Sequence, residues 1–328
     1  MTQVHAIKLG VIGLGSIGMR HANNLMSMGY EVLAYDPSLQ RCELFEQAGG
    51  APVKNKQNIS ESCDAVVIAS PSSMHLEDLA WAVENGIHAF IEKPLAHTLQ
   101  GLEEICADAE KRKLVLSLGM NMRFNPAIKR LSAIIRDGGI GDILWANYWH
   151  SSFLPDWRPD ADFRKGYAAD PKTGGVIFDV IHGFDLLYFL IGNYTVCGAT
   201  ARSSNVLEIS SDDCADILCR HTTGVTSTLH MDFITRPKSH VISVAGTNAI
   251  ARIDISRRHL SLTGIGGHII EENYFDTTSV NDDYCQELKD FINAIQGSNL
   301  EGCSLLDGMN VLSNVVLARK MAGLPYVE

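Results

Sequence analysis

Val11-Ile-Gly-Leu-Gly-Ser-Ile-Gly18 closes an apolar run that begins near Ala6, and Asp36 ends the next such run. The residue types fit one geometric problem, that of bringing a pyrophosphate against the start of a helix. Gly13 permits a tight turn from strand to helix, and Gly15 leaves the backbone N–H groups uncovered. Gly18 lets helix and strand pack closely. Ile7 to Ile12 reads as a buried strand and Ile17 to Met28 as a helix, so Ser16 and Ile17 sit where unpaired N–H donors and the positive end of a helix dipole meet an anion. The expected phosphate-binding set is Gly13, Gly15, Ser16, Ile17 and Gly18.

The run Glu31 to Tyr35 reads as a second strand. At its end the Asp36 carboxylate can accept hydrogen bonds from both hydroxyls of an adenosine ribose and repels a 2′-phosphate, which favours NAD over NADP. Arg41 lies one helical turn further on and is the one nearby group suited to such a phosphate. Asp36 can also cap the helix after Pro37, a role compatible with the first.

Up to about Met120 strands and helices alternate, as a doubly wound parallel sheet requires. Strands are expected at Ala65 to Ala69, Ala89 to Ile91 and Leu114 to Leu118, with a turn at Ser70 to Ser73 and a helix from Met74 to Asn85. Ligands of such sheets bind outside the carboxyl ends of the strands, which sends Ser70, Pro71, His75, Glu92, Lys93 and Pro94 to the crevice of the glycine loop. Beyond Asn125 the pattern changes: a helix at Pro126 to Arg136, a strand at Asp142 to His150, a polar and aromatic loop to Thr173, and a helix at Val176 to Ile191. Five alternating strands between Asp216 and Leu262, with a turn at Thr222-Thr-Gly224, read as an antiparallel sheet. Helices near Asp282 to Ile295 and Ser304 to Ala322 close the chain. The expected fold is α/β: a Rossmann domain over residues 1–124, then an α+β domain with a large, mainly antiparallel sheet over residues 125–328 that binds substrate and forms oligomers. The last helix is free to pack back on the first domain.

A chain of 328 residues with a net charge of −11 suits a two-domain protein and lacks the basic face that nucleic acid demands. No apolar run reaches the roughly 20 residues of a membrane span, and the N-terminus lacks a signal-peptide pattern, which makes the cytosol the expected location. Eight cysteines without a C-x-x-C pair point to reduced, mostly buried thiols and to no metal site. Leu218, Val225 and Leu229 alternate along the later strands and suggest an apolar sheet face that pairs copies into a homodimer or homotetramer.

The chain resembles the Gfo/Idh/MocA family of glucose-fructose oxidoreductase and inositol dehydrogenase over essentially its whole length. The resemblance rests on the glycine loop with Asp36, on Ala69-Ser-Pro-Ser-Ser-Met-His75, on Glu92-Lys-Pro94 and on Gly119-Met-Asn-Met-Arg-Phe-Asn-Pro126. It also rests on Gly174-Gly-Val-Ile-Phe-Asp179-Val-Ile-His182-Gly-Phe-Asp185. In family members the Lys-Pro bond is often cis. The resemblance implies hydride transfer between nicotinamide and a secondary hydroxyl or ketone of a sugar, amino sugar, nucleotide sugar or polyol. Such a reaction needs a base for the hydroxyl proton and a cation for the developing alkoxide. His182 suits the first role and Lys93 the second, with Asp179 placed three residues before His182 and thus on the same helix face. Asn121, Arg123 and Tyr167 are expected substrate contacts, and Asp185 a secondary one. Asp179 and His182 have two residues between them where the commonest family pattern has three. Arg158, Arg164 and Lys165 are candidate anchors for an anionic substrate group, with a solvated charged loop as the equal alternative. Two other functions fit the same scaffold: a dinucleotide-binding regulator, and an enzyme that retains NAD and performs elimination or epimerisation through transient oxidation.

Overall fold

A computed structural model describes residues 7–157 and 159–326; Arg158 lies outside them. The chain forms two compact units, Met1–Asn121 with Asn281–Met309, and Met122–Val280 with Asn310–Glu328. In the first, strands β1 (Leu9–Ile12), β2 (Val32–Tyr35), β3 (Ala51–Pro52), β4 (Ala65–Ile68), β5 (His88–Ile91) and β6 (Leu116–Leu118) are parallel in the order β6-β5-β4-β1-β2-β3. This is the doubly wound arrangement, and the strand order reverses between β1 and β4, where ligand crevices open. A two-residue strand, Cys303–Ser304, pairs antiparallel with β6 at the edge.

The strands β1 and β4 are buried along their whole length, as a sheet covered on both faces requires. Their core continues into Leu288, Phe291 and Ile292 on the helix Val280–Ile295. That packing explains why Asn281–Met309 joins the first unit, whereas the sequence division assigns it to the second domain. Apolar spacing identifies a helix, but the surface that buries its stripe is set by tertiary structure.

The second unit carries an eight-stranded sheet: β7 (Ile143–Phe153), β8 (Tyr194–Arg202), β9 (Cys214–His221), β10 (Thr226–Asp232), β11 (Ile234–Gly246), β12 (Ala249–Asp254), β13 (His259–Gly264) and β14 (Ile269–Tyr274). The order is β14-β13-β12-β11-β7-β10-β9-β8, antiparallel except between β7 and β10. Strands β8 and β14 are absent from the sequence reading. Register separates residues that alternation alone groups together. Leu218 pairs with Thr228, and Ile217 with Leu229, so Leu218 and Leu229 occupy opposite faces. Leu229 is buried, whereas Leu218 shares an open face with Trp145, Trp149 and Ile250. Trp149 stacks on His230 there, with ring centroids 4.0 Å apart.

All eight cysteines are unbridged, and only Cys219 and Cys303 are buried, fewer than expected. The other six are half-buried or exposed, which composition cannot identify. No helix among the described residues is long and apolar enough to cross a membrane.

Candidate active site

In the first unit the glycine loop is shaped by close backbone contacts. Gly13 has φ +91°, and a Cβ there would lie 2.5 Å from the Ala69 carbonyl oxygen. A Cβ on Gly18 would overlap the Gly13 carbonyl, so the helix Ser16–Ser27 approaches the loop as only glycine allows. Gly15 faces open space instead, with no atom within 4 Å of its ideal Cβ. A phosphate fits this arrangement, because the uncovered turn leads directly into a helix N-terminus.

The side chains around the loop hold main chain. Asp36 accepts from Leu14 N at 2.7 Å and from Ser38 N at 2.8 Å, and Arg41 Nη1 lies 3.3 Å from Oδ2. Asp36 therefore ties the glycine loop to the following helix, and a carboxylate offers about four acceptor sites, leaving capacity for a further donor. His75 bridges the ends of two strands, its Nδ1 2.7 Å from the Pro94 carbonyl and its Nε2 3.0 Å from that of Ser70. Burial keeps its imidazole below the usual 6.5, against the pull of both carbonyls. A neutral ring donates to one of them at a time. The Ser70 hydroxyl donates to Asp78 at 2.5 Å, and Lys56 reaches the other oxygen of that carboxylate at 2.7 Å. Glu92 accepts from Lys93 N at 3.1 Å and from His21 Nε2 at 2.6 Å. Lys93 is half-buried, and the Lys93–Pro94 bond is cis. Asn121 is buried.

In the second unit Gly175, at φ +88°, lets Asp212 reach the start of the short helix Val176–Asp179. Asp212 accepts from Ile177 N at 3.0 Å and from Arg319 at 3.0 Å. Burial nevertheless raises its carboxyl above the ordinary value. Asp179, at the end of that helix, accepts from the Tyr167 hydroxyl at 2.9 Å. The continuous helix expected from Val176 to Ile191 is broken: Val180 has ψ +33°, and His182 begins a second helix, His182–Ile191. Asp179 and His182 therefore flank a kink and do not share one regular helix face. Arg123 is held by a buried carboxylate. Its Nε and Nη2 donate to the Asp185 carboxylate at 3.0 and 2.6 Å, with Arg123 4 % and Asp185 0 % exposed. The pair joins the chain leading into the helix Pro126–Arg136 to the helix after His182, and it occupies two residues read as substrate contacts. Asn125 caps the former helix through Ala127 N at 3.0 Å. Arg164 pairs with Glu208 at 3.1 Å, and Lys165 with Asp162 at 3.5 Å, on an exposed loop.

A family model described as an oxidoreductase family with an NAD-binding Rossmann fold matches residues 7–120, and one for the GFO/IDH/MocA C-terminal domain matches residues 128–252. The chain belongs to the GFO/IDH/MocA oxidoreductases. It is 25 % identical over 342 residues to the myo-inositol 2-dehydrogenase of Thermotoga maritima, with 96 % of each chain covered. To the UDP-N-acetylglucosamine 3-dehydrogenase of Acidithiobacillus ferrooxidans it is 24 % identical over 327 residues, covering 95 % of this chain and 96 % of that one. Among solved structures, levoglucosan dehydrogenase in complex with NADH has the same fold, with a TM-score of 0.86 at 18 % identity and 97 % of each chain covered.

Within the GFO/IDH/MocA C-terminal domain two buried histidines carry no local sequence signal of a site. His150 on β7 and His240 on β11 are direct register partners, with ring centroids 4.8 Å apart. Tyr148 Oη lies 2.8 Å from His240 Nε2. Burial, reinforced by His150, Lys238 and His182, drives His240 well below the ordinary imidazole value, so the ring is neutral and its tautomer sets which of Nε2 and the tyrosine hydroxyl donates. A Cβ on Gly183 would lie 2.5 Å from the Tyr148 ring, so this glycine allows the helix of His182 to lie against β7. The only signal for these histidines lay in their strand positions, and the pairing of those strands is not written locally.

Proposed function

We propose that this oxidoreductase transfers hydride between NAD and a secondary hydroxyl or ketone of a sugar, amino sugar, nucleotide sugar or polyol. The observation that carries the reading is one continuous backbone frame. Gly13 packs on the end of β4, His75 ties that end to Pro94, and Glu92 holds the main chain of Lys93. A reactive lysine is thereby fixed to the same strand ends as the dinucleotide loop. Bound at that loop, the nicotinamide supplies the hydride acceptor or donor.

The remaining chemistry falls to side chains. Lys93 holds the substrate oxygen and stabilises negative charge as it develops, while His182 takes the hydroxyl proton. Asp179, oriented by Tyr167, binds a neighbouring hydroxyl. The relatives named for myo-inositol and for a nucleotide sugar support the carbohydrate class without choosing within it. The preference for NAD over NADP rests on Asp36, whose anchored carboxylate repels a 2′-phosphate and holds Arg41 to itself.

Titration with NADH and NADPH, followed by a panel of sugars, polyols and nucleotide sugars, tests the reading. The expected result is tighter NADH binding with turnover on one class, and a loss of about 10²–10⁴-fold in turnover for Lys93→Ala with NADH affinity retained. Unchanged turnover in that variant contradicts the assignment.

A further inference from the structure

Against the Lys93 main chain the first unit buries a set of ionisable groups that the proposed chemistry does not use. His21 on the helix Ser16–Ser27, Glu92 after β5 and Glu287 on the helix Val280–Ile295 each bring one nitrogen or oxygen within 4.8 Å of the others. Their exposures are 0 %, 7 % and 3 %. Glu92 is bonded on both oxygens, to His21 Nε2 and Lys93 N. Neither Glu287 oxygen nor His21 Nδ1 has a hydrogen-bond partner among the described residues.

Two carboxylates this close in a buried site cannot both ionise at low cost. Burial acts to raise the Glu92 carboxyl, but the His21 hydrogen bond and the nearby Lys93 outweigh it and leave Glu92 the charged member. Glu287 has the opposite surroundings. Burial pushes its carboxyl well above the ordinary range, and the Glu92 and Asp283 carboxylates add to this. Tyr284, from the same helix, meets the edge of His21 at 5.7 Å and carries Arg20 over its ring at 4.8 Å.

We propose that Glu287 is a positioning residue, held as a neutral carboxylic acid, that with His21 fixes Glu92 and through it the main chain of Lys93. This rests on the assignment of Lys93 to catalysis. A protonated Glu287 removes the second buried charge, and its O–H is the kind of donor that His21 Nδ1 lacks while Nε2–H donates to Glu92. Loss of that proton sets Glu287 against Glu92 and loosens the hold on Lys93 N.

The proton can be observed directly. Infrared spectra of the full chain at neutral pH should show a protonated-carboxyl carbonyl band that is lost in Glu287→Gln and retained in Lys93→Ala. Glutamine stays neutral, so wild type should lose stability relative to the variant as pH rises above the ordinary carboxyl value. The ratio of their unfolding constants changes by up to tenfold per pH unit until the folded Glu287 value is passed. Glu287→Leu provides the same neutral reference should the glutamine variant fail to fold. Glu287→Ala should lower kcat with little change in KM, and glutamine should restore most of the loss, which a purely structural role does not predict. Absence of the band together with a pH-independent stability gap would overturn the proposal. So would stoichiometric zinc or manganese in the purified protein that disappears with Glu287→Gln, since a cation would then balance the two carboxylates. Normal turnover of Lys93→Ala would refute the catalytic assignment alone, because the infrared and stability results do not depend on it.

Discussion

The glycine-loop crevice of the first unit and the histidine-bearing layer of the second differ in the balance of main-chain and side-chain contacts that shape them. Around the loop, Asp36, His75 and Glu92 all bond to main chain, and the backbone is what they arrange. In the second unit Asp212 also holds main chain, at Ile177 N, but three further contacts run between side chains: Tyr148 with His240, Tyr167 with Asp179, and Arg123 with Asp185. A site made of backbone tolerates little change in local conformation, and glycine marks it. A site made of side chains depends on strand register and helix packing, and its members are scattered along the chain.

The contrast can be broken most forcefully at Arg123. As half of a buried ion pair, its replacement by alanine should cost about 3–5 kcal/mol of stability, read from urea unfolding, because Asp185 is left charged and buried. A variant of unchanged stability with weakened substrate binding would return Arg123 to the ligand role that its sequence position suggests. Gly13→Ala probes the backbone side of the comparison. The positive φ and the Ala69 carbonyl make the substitution cost about 1–3 kcal/mol, and NADH affinity should fall with it. Normal NADH binding in that variant would show that the loop geometry is not needed.

The smallest effect is expected at His240. Its imidazole resists protonation in the fold, facing His150, Lys238 and His182, whereas the unfolded ring gains a proton near 6.5. Stability should therefore be complete above that value and fall by up to about 1.4 kcal/mol per pH unit below it, until the folded ring also protonates. His240→Gln should flatten this slope in thermal unfolding measured across pH 7 to 5. An unaltered slope would assign the pH dependence to other groups.

Legibility follows the same division. The strands β1, β2, β4, β5 and β6 of the first unit are legible as short apolar runs that each end in turn residues, and Gly13 and Asp36 lie at the ends of two of them. Each of those features is local. The return of Asn281–Met309 to the first unit, the kink at Val180 and the pairing of His150 with His240 are not. They arise from which apolar stripe meets which sheet, from one ψ angle, and from the register of two strands far apart in sequence. Arg123 is instructive because its motif is local, whereas the buried Asp185 carboxylate that holds it lies 62 residues away in sequence.

The most direct test of the account compares wild type with Lys93→Ala, measuring NADH and NADPH binding by fluorescence and turnover on the carbohydrate panel by nicotinamide absorbance. NADH should bind more strongly than NADPH in both proteins, wild type should turn over one carbohydrate class, and the variant should lose that turnover. Equal turnover by the two proteins, or turnover with NADPH in preference to NADH, would contradict it.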